Sequence, residues 1–168
     1  MRRKASILSV WGAVLTGVLL VGLASAVQAA EERVIYMAAI EPKGGTTVDK
    51  EPFPATPFPQ GGGYVKKAPD EATGRWEVSV YQFSPATVVV RQGERVTLEI
   101  VGINGAKHSV HIDTYHPEHF LVTRGEITRV QFVADTPGIF TIHCLEHQPS
   151  MEGTLVVLPR ATRQRSGR

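Results

Sequence analysis

From Trp76 onward, apolar and polar positions alternate in short runs. In Arg95–Ile100, Val96, Leu98 and Ile100 share one face, while Arg95, Thr97 and Glu99 share the other. Successive strand side chains point to opposite faces, so this pattern predicts a strand with one buried side. Trp76–Gln82 alternates in the same way, and Thr87–Arg91 is rich in β-branched residues. Lys107–Asp113, Ile127–Ala134, Gly138–Cys144 and Gly153–Leu158 follow. Turn-forming pairs separate most of them: Gln92-Gly93, Asn104-Gly105, Arg124-Gly125 and Thr136-Pro137-Gly138. Roughly seven strands within about 85 residues, without a helical period, predict an all-β antiparallel sandwich over residues 75–160. There is no internal repeat.

The chain ahead of these strands has a different character. Arg2, Arg3 and Lys4 precede an almost wholly apolar run from Ile7 to Val21, which small residues close at Ala24, Ala26, Ala29 and Ala30. That order is the pattern of a secretory signal over residues 1–30. The same stretch reaches the roughly 20 residues of a spanning helix, so an uncleaved membrane anchor is the alternative. Either reading delivers the rest of the chain outside the cytoplasm, to the periplasm or its equivalent. Residues 31–74 read as an extension, beginning with an apolar run, Arg33–Ile40, that fits a strand or the tail of an anchor. From Glu41 to Gly63, five prolines and five glycines oppose a helix or a central strand. This stretch is expected as a linker, or as a strap on the domain with Phe53 and Phe58 as its packing residues.

Charge and cysteine usage narrow the function classes. Of 18 basic residues, three lie in the leader, leaving 15 against 16 acidic ones. No basic stripe with interleaved aromatics is present, so nucleic acid is not an expected partner. The Arg-rich segment at the end is expected as a solvated tail over 161–168. A single cysteine, Cys144, in an exported chain has no internal disulfide partner. It is a buried small residue, an intermolecular link or a ligand.

Its neighbours decide. Cys144, His147 and Met151 place a thiolate, an imidazole and a thioether close together. A soft thiolate with nitrogen donors suits copper, and a thioether supplies a weak axial contact. Taken singly, Cys144 reads as a small core residue and Met151 as a core filler. A second imidazole must come from elsewhere, and His108 and His111 are the candidates. Alternation puts Cys144 inward with Phe140 and Ile142, and His143 outward with Ile139 and Thr141. By the same rule His108 lies with Val110 and Ile112, and His111 with Ser109 and Asp113. The predicted ligand set is therefore His108, Cys144, His147 and Met151, holding one copper. His116 and His119 flank Pro117 in a loop, expected as surface histidines, with a second weak metal site as the alternative. Glu146 is expected in solvent, with a place on a partner-docking surface as the alternative.

The block from Pro137 to Val157 resembles the ligand loop of the cupredoxins, closest to amicyanins, plastocyanins and pseudoazurins. His108-Ser-Val-His111 is similar to the amicyanin histidine segment, in which the first histidine is the ligand. The layout of Arg91–Leu158 also resembles nitrosocyanin, a red-copper relative whose ligands include a glutamate and no methionine. The His108 and Met151 pair matches the blue type instead. The resemblance covers Trp76–Pro159 and implies a Greek-key β-sandwich with one type 1 copper. Two departures stand out. Three residues separate His147 from Met151, and Ser109 replaces an asparagine that in many relatives ties the ligand loops together.

These readings imply an exported, monomeric carrier of single electrons between redox proteins, bound to membrane only if the N-terminal segment is uncleaved. A copper storage or delivery module is the alternative. An enzyme is not expected, because a catalytic metal needs an open coordination position. A binuclear centre with two bridging cysteines is excluded by the single Cys144.

Overall fold

Val96, Leu98 and Ile100 are fully buried, and they form the inward face of a strand, β7 (Arg95–Gly102). In the computed structural model, which describes residues 32–161, β7 lies between an antiparallel and a parallel neighbour. The antiparallel one is β10 (Ile127–Val133) and the parallel one is β1 (Glu32–Ile40). A short strand, β5 (Gln82–Ser84), completes this first sheet on the far side of β1. The facing sheet has the order β6 (Thr87–Arg91), β12 (Glu152–Leu158), β11 (Gly138–Cys144), β8 (Lys107–Ile112) and β9 (His116–Thr123). Val90, Val110, Ile112, Ile142 and Leu155 project from it, wholly buried, against Met37, Phe83 and the β7 residues. Removing each such side chain from water stabilises the fold by about 1.5–3 kcal/mol before entropy is counted.

The all-β sandwich matches the expectation, with differences of detail. The expectation was antiparallel throughout, but β1 pairs with β7, and β6 with β12, in parallel. Parallel partners lie far apart in sequence, where turn signals give no guide. Trp76–Gln82 is not one strand: β4 (Arg75–Val80) ends before Tyr81, and the chain then enters β5 in a different sheet. His116–His119, expected in a loop, begins β9, an edge strand that tolerates the missing donor of Pro117.

Of the extension expected over 31–74, residues 32–74 contribute to the packed body. Arg33–Ile40 lies within β1, with Met37 and Ala39 in the core. Beyond it, β2 (Lys43–Thr47), β4 and β3 (Tyr64–Lys67) form a small antiparallel sheet. The segment between β2 and β3 folds back on that sheet. Phe53 meets Trp76 edge-on at 5.7 Å, and Phe58 lies 5.6 Å from Tyr64. Between the two phenylalanines, the Lys66 ammonium donates to the carbonyls of Pro54 and Thr56 at 2.9 and 2.8 Å. Among the described residues no helix is long and apolar enough to cross a membrane. The signal or anchor expected over 1–30 lies outside the described residues, as does the 161–168 tail apart from Ala161.

Candidate metal centre

β8 and β11 run antiparallel with Cys144 opposite Val110, His143 opposite His111 and Ile142 opposite Ile112. Alternation holds along both strands: His108, Val110 and Ile112 are fully buried, as are Ile142 and Cys144. His108 and Cys144 thus share the inner face. His147 arrives from the loop after β11, and its ring stacks on Tyr81 at 3.7 Å. The Nδ1 atoms of His108 and His147 lie 3.1 Å apart. Cys144 Sγ is 3.7 Å from the first and 3.4 Å from the second. Met151 is fully buried; its N–H donates to the His147 carbonyl at 3.0 Å, and its carbonyl accepts from the Cys144 N–H at 3.2 Å.

The hydrogen bonds set the donor atoms. His108 Nε2 lies 2.7 Å from the Asn104 carbonyl, which can only accept, so that nitrogen carries the proton. In the neutral ring Nδ1 then presents a lone pair to the cluster. Burial, with His108 beside it, holds the His147 pKa below its ordinary value, which favours a neutral ring there too. Burial pushes the Cys144 thiol up to about 11, against backbone N–H groups of His147 and Glu146 that favour the thiolate.

Two nitrogens and a sulfur so placed fit a metal ion. Donors about 2.0–2.3 Å from a common centre, at tetrahedral to trigonal angles, are separated by about 3.3–3.7 Å. The observed separations, 3.1 to 3.7 Å, lie close to that range. A cation would also stabilise a thiolate that burial alone disfavours. Thiolate with imidazole is a donor set for copper or zinc, and uptake would release the thiol proton.

Glu146 is not the solvated residue expected from the sequence. Its Oε2 accepts from the Ser109 N–H at 2.7 Å and its Oε1 from the Ser109 hydroxyl at 2.6 Å. Burial works against the charge, yet the hydroxyl and N–H of Ser109 hold the carboxyl at about 2. The Leu145 N–H donates to the Ser109 carbonyl at 3.0 Å. Ser109 and Glu146 therefore join the two ligand-bearing segments at the position where an asparagine was noted as missing. Strand parity gave no signal of this, because β11 ends at Cys144 and Glu146 lies in the turn beyond it.

Sequence reading also missed Gly61, Gly62 and Gly63. A Cβ on these residues would strike the carbonyl oxygens of Gln148, Glu146 and His147 respectively. The Gly63 N–H donates to the Gln148 carbonyl at 3.0 Å, and the Ser150 hydroxyl reaches the carbonyls of Gly63 and Tyr81, each at 2.8 Å. Only glycine lets this strap lie directly on the ligand loop.

On the opposite face of β8 and β11, His111 and His143 stack at 4.6 Å beside Asp113. Burial, together with His143 and His119, holds the His111 pKa below its ordinary value. The structure does not bring His116 and His119 together as a pair. His119 Nε2 is 3.1 Å from His111 Nδ1, whereas His116 donates from Nδ1 to the Glu118 carbonyl and packs on Phe120.

The fold has counterparts among known proteins. The model of the family described as cupredoxin-like domain matches residues 63–157. A copper nitrite reductase from Nitrosomonas europaea is similar in structure, with a TM-score of 0.51 and 17% sequence identity. That match covers 79% of this chain and 44% of the reductase chain. A multicopper oxidase, mgLAC, is similar over 79% of this chain and 40% of its own, with a TM-score of 0.47 and 17% identity. This chain thus spans less than half the length of either, and at such identity the likeness to the reductase is one of fold. No curated protein sequence matches.

Proposed function

The chain belongs to the cupredoxin-like domain family, and from that premise we propose that it holds one type 1 copper ion and carries single electrons. The ligands in this reading are His108, Cys144, His147 and Met151, and the partners are redox proteins outside the cytoplasm. The observation that carries it is the convergence of two imidazole Nδ1 atoms and one thiol sulfur, all within 4.8 Å of one another.

Copper held there supplies a Cu(I)/Cu(II) couple. The chain's part is to keep the donors still. Asn104 fixes the His108 ring, Tyr81 backs the His147 ring, and Ser109 with Glu146 locks the two ligand segments together. A frame with so little freedom reorganises little when the charge at its centre changes by one unit. Burial of His108, Cys144 and Met151 supports retention of the ion over its transfer to a delivery partner. A complete set of four donors leaves no open position for a substrate, which supports carriage over catalysis.

An optical and EPR spectrum of the copper-loaded protein tests the reading. One type 1 copper per chain, read from an intense visible thiolate-to-copper band, is expected, and Cys144→Ser should abolish the band. A folded Cys144→Ser protein that kept it would sink the assignment. Mass spectrometry of exported protein, expected to show an N-terminus near Val27 or Ala30, tests the route. Intact protein beginning at Met1, recovered only with membranes, would favour the anchor.

A further inference from the structure

The face of the β8–β11 pair that points away from the core carries a second group of donors. His111 and His143 are cross-strand partners with rings 4.6 Å apart, and Asp113 lies at the end of the same edge. Asp113 Oδ1 is 3.4 Å from His111 Nε2 and 3.5 Å from His143 Nε2. These distances exceed those of good hydrogen bonds. They match the separation of two donors that share an ion, about 3.3–3.5 Å.

The far side of each ring points the same way. His111 Nδ1 is 3.1 Å from His119 Nε2, and His143 Nδ1 is 3.5 Å from a Glu152 carboxylate oxygen. With the proton on Nδ1 of each ring, beside His119 and Glu152, both Nε2 lone pairs are directed toward Asp113. Metal-bound histidines are held in this manner, each passing its remaining N–H to an outer acceptor. A simple ion-pair network is the competing arrangement. Its contacts to Asp113, at 3.4 and 3.5 Å, are long for charge-assisted hydrogen bonds.

We propose that His111, His143 and Asp113 form a second, outward-facing site for a divalent ion of the zinc and copper class. His119 and Glu152 orient the two rings. Two imidazoles and a carboxylate suit these ions. With side-chain exposures of 22%, 27% and 45%, the three residues leave the remaining coordination position to solvent.

The test is a Zn²⁺ titration of the copper-loaded chain by calorimetry, followed by NMR of the histidine ring protons. The expected result is one Zn²⁺ per chain, with the His111 and His143 ring signals shifted. Loss of an outer partner alone commonly weakens a site by about 10–100-fold. His111→Ala and His143→Ala, which remove ligands, should each weaken binding by at least roughly tenfold. His116→Ala, outside the group, should bind as the parent does. Because a variant could misfold, each is also melted: Zn²⁺ should raise the melting temperature of the parent and His116→Ala, but not of folded His111→Ala or His143→Ala. No Zn²⁺ uptake by the parent, or shifts confined to His108 and His147, would overturn the proposal. So would equal binding by His111→Ala.

Discussion

Ser109 and Glu146 are joined twice, through the backbone N–H and the hydroxyl of the serine, each to a different oxygen of one carboxylate. The pair spans the gap between the strand that carries His108 and the loop that carries His147. Breaking it loosens two donor-bearing segments at once, leaving the Leu145 N–H to Ser109 carbonyl bond between them.

Ser109→Ala should therefore destabilise the folded chain by about 1.5 kcal/mol, the low end for a hydrogen bond to a charged group, since water partly reaches this carboxylate. Urea unfolding of Ser109→Ala, Glu146→Gln and the double variant measures the coupling between them. Additive losses in the double variant would show that the two residues do not act together.

Strand direction separates the histidines. His108→Ala and His147→Ala should remove the visible copper band. His111→Ala and His143→Ala should leave it nearly unchanged, because both side chains leave β8 and β11 on the other face. Loss of the band in His111→Ala, with His108→Ala unaffected, would reverse the ligand assignment.

Met151→Leu keeps the volume of a fully buried side chain, so its stability cost should stay below about 1.5 kcal/mol. Copper should be retained and the reduction potential should rise, since loss of a weak donor disfavours Cu(II) more than Cu(I). Cyclic voltammetry reads the shift, and an unchanged potential would place the thioether outside the coordination sphere.

Glu41 lies under the small sheet, with the Ser79 hydroxyl at 2.6 Å and the Lys43 ammonium at 2.8 Å. Burial opposes its charge, but these groups and Tyr81 outweigh it, and the pKa lies below the ordinary value. Its contribution is complete above the unfolded-state value of about 4.3 and is lost as pH falls through the folded value. Glu41→Gln should cost about 1.5–3 kcal/mol at neutral pH. The difference from the parent should shrink in acid, and stability curves that stay parallel down to the acid limb would refute this.

The inward facing of His108 and Cys144 was legible because it depends on the period of a strand. β8 keeps strict alternation from Lys107 to Ile112, so the facing of His108 followed from Val110 and Ile112. A bulge was the danger, and one exists: the β8–β9 register shifts between Val110 and Ile112. From Val110 opposite Phe120 to Ile112 opposite His116, β9 takes four steps to β8's two, so the extra residues belong to β9 and β8 keeps its parity. The same irregularity hid β9 itself, since His-Pro-Glu-His has the composition of a loop. The Gly61–Gly63 strap was illegible for another reason. Its glycines answer to carbonyl oxygens far along the chain, and composition records the glycines without recording what they approach.

Two of the pairings that close the sandwich are parallel and join remote parts of the chain: Glu32 faces Arg95, and Thr87 faces Thr154. Such contacts form slowly, because the entropy of closing a long loop is lost before the pairing rewards it. Until β12 docks beside β6, the one thiol of the chain has no finished core around it. While that pairing is unmade, Cys144 is open to a second copy. A disulfide-linked pair of chains is the misassembly to look for during refolding in air, and it is a product that the closed molecule, with its sulfur sealed inside, has no means to make.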